Sequence, residues 1–109
     1  MSVSILILTL NEEANLSECL QSVKWSDDIV VLDSFSNDRT VKIAEEMGVR
    51  VVQRRFDNWS AHQNWALEQI PFKHPWVFSL DADERMTEEL KNELALMAHD
   101  PSRTAVAYY

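Results

Sequence analysis

The segment Leu80-Asp81-Ala82-Asp83-Glu84 sets two carboxylates one residue apart, with a third adjoining, directly after an apolar run. Carboxylates this close repel one another, and ionising both is costly unless a divalent cation or a hydrogen-bond donor shares the site. Their oxygens suit hard cations such as Mg2+ or Mn2+. A cation held there would let an acidic protein retain a diphosphate, and it would stabilise charge developing on a diphosphate leaving group. The competing interpretation is a solvated acidic turn ahead of a helix. An EF-hand loop is excluded, because its sixth position would be Met86 instead of Gly and its twelfth Asn92 instead of Glu.

A second polar set, Asp33-Ser34-Phe35-Ser36-Asn37-Asp38, follows another apolar run. An Asp at a strand end can accept from the N–H of a nucleobase or from ribose hydroxyls, while Ser34, Ser36 and Asp38 can hold the turn and cap a helix. A third stretch, residues 60–67, reads as an amphipathic helix with Trp65 in the core. His62, His74 and His99 show no metal-ligand spacing and read as surface or capping residues.

The elements that must position these groups follow from periodicity. Residues 3–10, 29–33, 49–53 and 76–80 are short apolar runs bounded by polar or turn residues and are predicted strands. Between them, Leu16, Cys19, Leu20 and Val23 fall at helical spacing, Asp38 can cap a helix through Met47, and Ser60 can cap one through about Ile70. Gly48 sits where a left-handed residue closes the second helix. Thr87 can cap a fourth helix with Leu90, Leu94 and Met97 on one face, and residues 104–109 read as a fifth strand. Strands alternating with helices and apolar on both faces imply an α/β fold, a mainly parallel sheet covered on each side, with ligands at the carboxyl ends of the strands. The residues at those ends are Thr9, Leu10 and Asn11 after the first strand, Asp33, Ser34 and Asp38 after the second, Arg54 and Arg55 after the third, and Asp81, Asp83 and Glu84 after the fourth.

Composition narrows the choices. The 109 residues have room for one domain, and 46% hydrophobic residues can bury a core. A formal net charge of −8 argues against nucleic acid or an anionic membrane surface as the main partner. One cysteine allows neither an internal disulfide nor a CxxC site and favours a reducing compartment, with Cys19 in a packing role. One glycine excludes dinucleotide fingerprints and P-loops. Without a basic n-region or an apolar span, a cytoplasmic chain is expected.

Residues 5–15 (ILILTLNEEAN), 29–40 (IVVLDSFSNDRT), 60–67 (SAHQNWAL) and 77–85 (VFSLDADER) together resemble, in order, spacing and strand context, the nucleotide-sugar-binding half of family 2 glycosyltransferases. Within that family they are similar to the bacterial branch that adds sugars to the lipopolysaccharide core, including a β-1,4-glucosyltransferase of the inner core. The resemblance implies a GT-A fold, which is a Rossmann-like α/β/α sandwich, and a nucleoside diphosphate sugar as donor, UDP-glucose or a related UDP-sugar. It implies that Thr9 and Asp33 contact the base, that Asn11 and Asn64 belong to the nucleotide-sugar site, that Asp81 contacts the ribose or sugar, and that Asp83 binds Mn2+ or Mg2+. Gln63 stands where many members carry Arg.

Members of the family continue into an acceptor-binding half, whose Asp or Glu removes the proton of the glycan acceptor's hydroxyl during an inverting displacement. The resemblance therefore implies no catalytic residue within residues 1–109. It implies a single donor-binding domain from a longer enzyme, peripheral at the inner membrane in its full-length form and nearly inert alone. A bare edge at Tyr108 and Tyr109 is expected to favour a homo-oligomer. The alternatives are weaker. A receiver domain needs an acidic pair where Thr9-Leu10-Asn11 stands, and a haloacid-dehalogenase-type phosphatase carries its D-x-D after the first strand. A sugar nucleotidyltransferase needs a glycine-rich loop there. The serious alternative is a truncated α/β module that only binds nucleotide or self-associates.

Overall fold

The structure is a computed structural model and describes residues 3–98 and 106–108. Its elements alternate as β1 (Val3–Thr9), α1 (Leu16–Ser22), β2 (Ile29–Asp33), α2 (Thr40–Glu46), β3 (Arg50–Gln53), α3 (Trp59–Gln69), β4 (Trp76–Asp81), α4 (Glu88–Ala98) and β5 (Val106–Tyr108). The strands pair in parallel in the order β3-β2-β1-β4-β5. All seven residues of β1 are buried, as a central parallel strand covered on both faces requires. Val3, Ile5 and Ile7 pack with α1, α2 and α4, whereas Leu6 and Leu8 pack with α3 on the opposite face. The expected α/β/α sandwich is therefore present. His99, Asp100 and Tyr109 lie outside the described residues.

The helices form where periodicity places them. Leu16, Cys19, Leu20 and Val23 are all buried against the sheet, each full-sized apolar side chain contributing about 1.5–3 kcal/mol. Burial, reinforced by Glu84, Asp83 and Glu12 and opposed by Arg85, pushes the Cys19 thiol up to about 12, so it packs and does not react. Gly48, at φ 77°, closes α2 in a Schellman arrangement: its own N–H donates to Glu45 O at 3.1 Å, and the Val49 N–H donates to Ala44 O at 3.2 Å. The cap of α3 is not Ser60. The helix begins two residues earlier than that assignment needs, and the Asn58 Oδ1, on extended backbone, accepts from the Ala61 N–H at 2.9 Å. Asp38 does hold the start of α2, accepting from the Thr40 N–H at 2.9 Å, and Thr87 accepts from the Leu90 N–H at 3.1 Å before α4.

Two loops at the carboxyl edge are stapled together. The Asn11 N–H donates to Ser36 Oγ at 2.8 Å, the Asn37 N–H to Asn11 Oδ1 at 2.7 Å, and the Glu12 N–H to Thr40 Oγ1 at 2.9 Å. Asn11 (φ 54°) and Phe35 (φ 59°) take left-handed backbone there, and such strain gathers at functional edges. The chain leaves β1 toward β2 on one side and reaches β4 on the other, so the carboxyl ends of β1 and β4 form the topological switch point where ligands of open parallel sheets bind.

Candidate functional site

A cleft of about 330 Å3 opens over that switch point. Thr9 and Leu10 form its floor at the end of β1. Asp81, the last residue of β4, and Asp83 just after it form one side; Ser34, after β2, forms the other with Phe56, from the segment between β3 and α3, and with Trp59 and His62 of α3. The register explains the arrangement, since Leu8 lies opposite Asp81 on one flank of β1 and Thr9 opposite Asp33 on the other.

On the β4 side, carboxylate oxygens of Asp81, Asp83 and Glu84 all lie within 4.8 Å of one another. Asp81 is half-buried and its pKa is raised, first by burial and then by the charges of Glu84, Asp83 and Glu12, all acting in one direction. The arginine that follows the cluster in sequence is engaged with other partners. Arg85 donates to the carbonyls of Ala82 at 3.1 Å and Glu84 at 2.9 Å and pairs with Glu18 at 3.4 Å, which ties the turn to α1. Glu84 Oε1 takes one backbone donor, the Asp81 N–H at 3.2 Å, and three carboxylates gathered this closely fit a hard divalent cation.

On the β2 side the arrangement is the reverse. Asp33 is fully buried and accepts from Thr9 Oγ1 at 2.6 Å, from the Ser36 N–H at 2.9 Å, from Ser36 Oγ, and from Gln53 Nε2 at 3.2 Å. Burial alone would raise its pKa, but these hydrogen bonds outweigh it and hold the carboxyl below the usual range.

Of the residues singled out in the sequence, the fold brings Thr9, Asp81 and Asp83 to the cleft wall. Asp33 sits directly beneath, at the end of β2. Asn11 is exposed, with its side chain used in the loop staple. Asn64 is exposed on α3 and does not line the cleft, because the sheet-facing positions of that helix are His62 and Ala66, four residues apart. Gln63 instead reaches β4, donating to Ser79 Oγ at 3.1 Å.

The assignment of His62 to the surface or to a cap does not hold. It is 2% exposed, lines the cleft, and meets Phe56 edge-on with ring centroids 5.3 Å apart. The sequence carried a signal for this. Phe56 and Trp59 lie in a segment that must cross the carboxyl edge, and His62 follows one helical turn after the Asn58 cap, on the face that meets the sheet.

Comparison with known proteins is consistent with this geometry. The Glycosyl transferase family 2 model matches residues 4–108. An uncharacterized glycosyltransferase of Rickettsia bellii is 36% identical over 93 residues, covering 84% of this chain and 31% of its own. The lipopolysaccharide core biosynthesis glycosyltransferase LpsC of Rhizobium meliloti is 32% identical over 99 residues, covering 86% of this chain and 36% of its own. The chain thus spans about a third of the length of these curated relatives. Among solved structures, glucosyl-3-phosphoglycerate synthase of Mycobacterium tuberculosis in complex with UDP superimposes with a TM-score of 0.63 at 26% identity, covering 76% of this chain and 34% of that one. The same synthase with Mn2+ and UDP-glucose gives a TM-score of 0.71 at 22% identity over 92% of this chain and 40% of that one, a likeness of fold.

Proposed function

The chain belongs to glycosyl transferase family 2, and from that premise we propose that it is the donor-binding part of a glycosyltransferase, holding a UDP-sugar with a divalent cation in the cleft over β1. The observation that carries this reading is the cluster of Asp81, Asp83 and Glu84 at the switch point of a parallel sheet. Asp83, the exposed member, and Asp81 would hold Mn2+ or Mg2+. When bound, the cation neutralises charge on the diphosphate and favours its departure. Asp81, at the end of β4, would in this reading also take a ribose or sugar hydroxyl. Thr9 forms the floor on which the nucleotide rests, with Asp33 buttressing it from beneath.

The acceptor of this proposal is a lipopolysaccharide-core or other glycan hydroxyl, since LpsC is a core-biosynthesis enzyme. The general base and acceptor site belong to the part of the relatives that this chain does not match. General-base help alone is typically worth about 10²–10⁴-fold, so the chain by itself turns over poorly even when it binds donor. Self-association along β5, one of the two outer strands among the described residues, is part of the reading and is read out by sedimentation. Among the described residues no helix is long and apolar enough to cross a membrane; a cytoplasmic protein, peripheral at the inner membrane in its full-length form, completes the proposal.

The test is calorimetric titration of UDP with Mn2+, with Mg2+ and with chelator. Tighter binding with metal, lost in Asp83→Asn, is the expected result. Equal UDP affinity with and without metal would remove Asp83 as a ligand, and absence of UDP binding would remove the donor-site reading altogether.

A further inference from the structure

The strand-end aspartate on the nucleotide side has no acceptor capacity to spare. A carboxylate offers about four lone-pair sites, and Thr9 Oγ1, the Ser36 N–H, Ser36 Oγ and Gln53 Nε2 occupy that number on Asp33. Any base recognised on this side must be read by another group.

His62 is placed for it. An arginine can only donate, and Arg54 Nη1 lies 3.0 Å from His62 Nδ1. Nδ1 therefore accepts, and the single proton of the neutral ring is on Nε2. Arg54 is itself fixed, bound by both Asp57 oxygens at 3.0 and 3.1 Å and lying 5.6 Å from the centroid of the Trp65 ring. Burial first, and then the Arg54 charge, keep His62 below the usual histidine range, with Asp57 opposing in part. The Nε2 faces Ser34 Oγ at 3.5 Å, the outer limit of a hydrogen bond, so this nearly buried donor is weakly used. The cleft it lines is also walled by Leu8, Leu10, Phe56 and Trp59, the last three exposed, and the Phe56 ring meets the His62 ring directly.

A neutral donor among aromatic and aliphatic walls suits a planar, uncharged ring with a carbonyl, and does not suit a phosphate. The spacing agrees. Ser34 directly follows β2 and Asp81 ends β4, the two strands that flank β1 and lie two strand spacings, or about 10 Å, apart, so a nucleoside diphosphate lying across β1 can set its base at His62 and its phosphates at Asp81 and Asp83.

We propose that His62 is a specificity-determining residue of the donor site: its Nε2–H, fixed in that tautomer by Arg54, donates to a carbonyl oxygen of the nucleobase and selects uracil over adenine, which presents an amino group instead. This rests on the nucleotide reading of the cleft given above.

Two measurements on the whole chain test it. In nitrogen-15 spectra of the free protein at neutral pH, His62 should carry its proton on Nε2; a proton on Nδ1 overturns the proposal whatever the ligand. In calorimetric titrations with Mn2+, His62→Ala should weaken UDP about tenfold, the loss of one well-made hydrogen bond, and leave ADP unchanged. His62→Gln, which keeps an N–H donor, should recover part of the loss. Arg54→Met, which leaves the ring but frees its tautomer, should weaken UDP about threefold without altering ADP. If His62→Ala does not fold, the other two variants decide, and an unchanged UDP-to-ADP ratio in both overturns the proposal. A wild-type chain that binds UDP while all variants bind it equally overturns this inference alone; a wild-type chain that binds no UDP overturns the donor-site reading and this inference with it.

Discussion

Asp33 and Asp81 end the two strands that flank β1, at one edge of one sheet, and the protein treats them in opposite ways. Both are withdrawn from water. Asp33 is met by donors from Thr9, Ser36 and Gln53, and its pKa falls in spite of burial. Asp81 is met only by burial and by the like charges of Glu84, Asp83 and Glu12, and its pKa rises. Asp28, at the amino edge, belongs with Asp33: burial is outweighed by Ser4, the Lys73 N–H and Arg50. Depth alone therefore does not separate a carboxylate that holds a loop from one suited to a cation. The donors around it do, and the edge is stabilised at β2 while electrostatic stress is concentrated at β4.

The largest effect should come from breaking the satisfied side. Asp33→Ala leaves Thr9, Ser36 and Gln53 donors facing one another without an acceptor, and a loss of about 3–5 kcal/mol is expected, as when one partner of a buried charged network is removed. Denaturant midpoints of the variant against wild type measure it. The pH dependence has a definite sign. Because the folded pKa of Asp33 is lowered, its contribution is complete above the unfolded aspartate value, about 3.9, and is lost as pH falls through the folded pKa. Asp33→Asn should therefore flatten the acid limb of the stability curve; an unchanged acid limb would assign that limb to other carboxylates.

The contrast also separates what was legible in the sequence from what was not. The sheet, its helices and the Gly48 turn follow from local rules, because periodicity and a single left-handed position are properties of neighbouring residues. Asp81 and Asp83 were legible for the same reason: their repulsion is built into a spacing of two. The state of Asp33 was not, since its donors come from β1 and β3, 24 and 20 residues away, as well as from its own turn. His62 was misread because its environment is likewise assembled at long range, with Ser34, 28 residues before it, beside its ring.

The stressed side should respond next most strongly, and in the opposite direction, to a counterion. Mn2+ at 100 times its dissociation constant should stabilise the folded chain by about 2.7 kcal/mol, read as a rise in thermal midpoint that Asp83→Asn abolishes. A rise that persists in the variant would place the cation elsewhere. Without metal, neutralising the stressed carboxylate should itself help. The folded pKa of Asp81 is raised, so its charge costs stability increasingly as pH climbs from the unfolded value through the folded one. Asp81→Asn should then stabilise the metal-free chain at neutral pH by about 0.5–2 kcal/mol, a gain typical of relieving a functional site, while metal-dependent UDP binding is lost. An Asp81→Asn chain less stable than wild type at pH 7 would erase the distinction between the two aspartates.

The smallest change tests whether the calm of Asp33 is built up from separate donors. Thr9→Val removes one hydroxyl and keeps a β-branched side chain of similar size in the buried last position of β1, where Thr9 is 4% exposed. The Thr9 hydroxyl donates to Asp33 Oδ1 at 2.6 Å, while Ser36 and Gln53 remain as donors. One charge-assisted bond among several is lost, so the destabilisation should be near 1 kcal/mol, well short of that in Asp33→Ala. The Asp33 pKa should move upward, toward the condition of Asp81, and can be followed by carbon-13 titration of its carboxyl. A Thr9→Val chain with the full loss seen in Asp33→Ala would show that the network stands or falls as one unit, and the contrast between the two aspartates would then rest on a single hydroxyl at the end of β1.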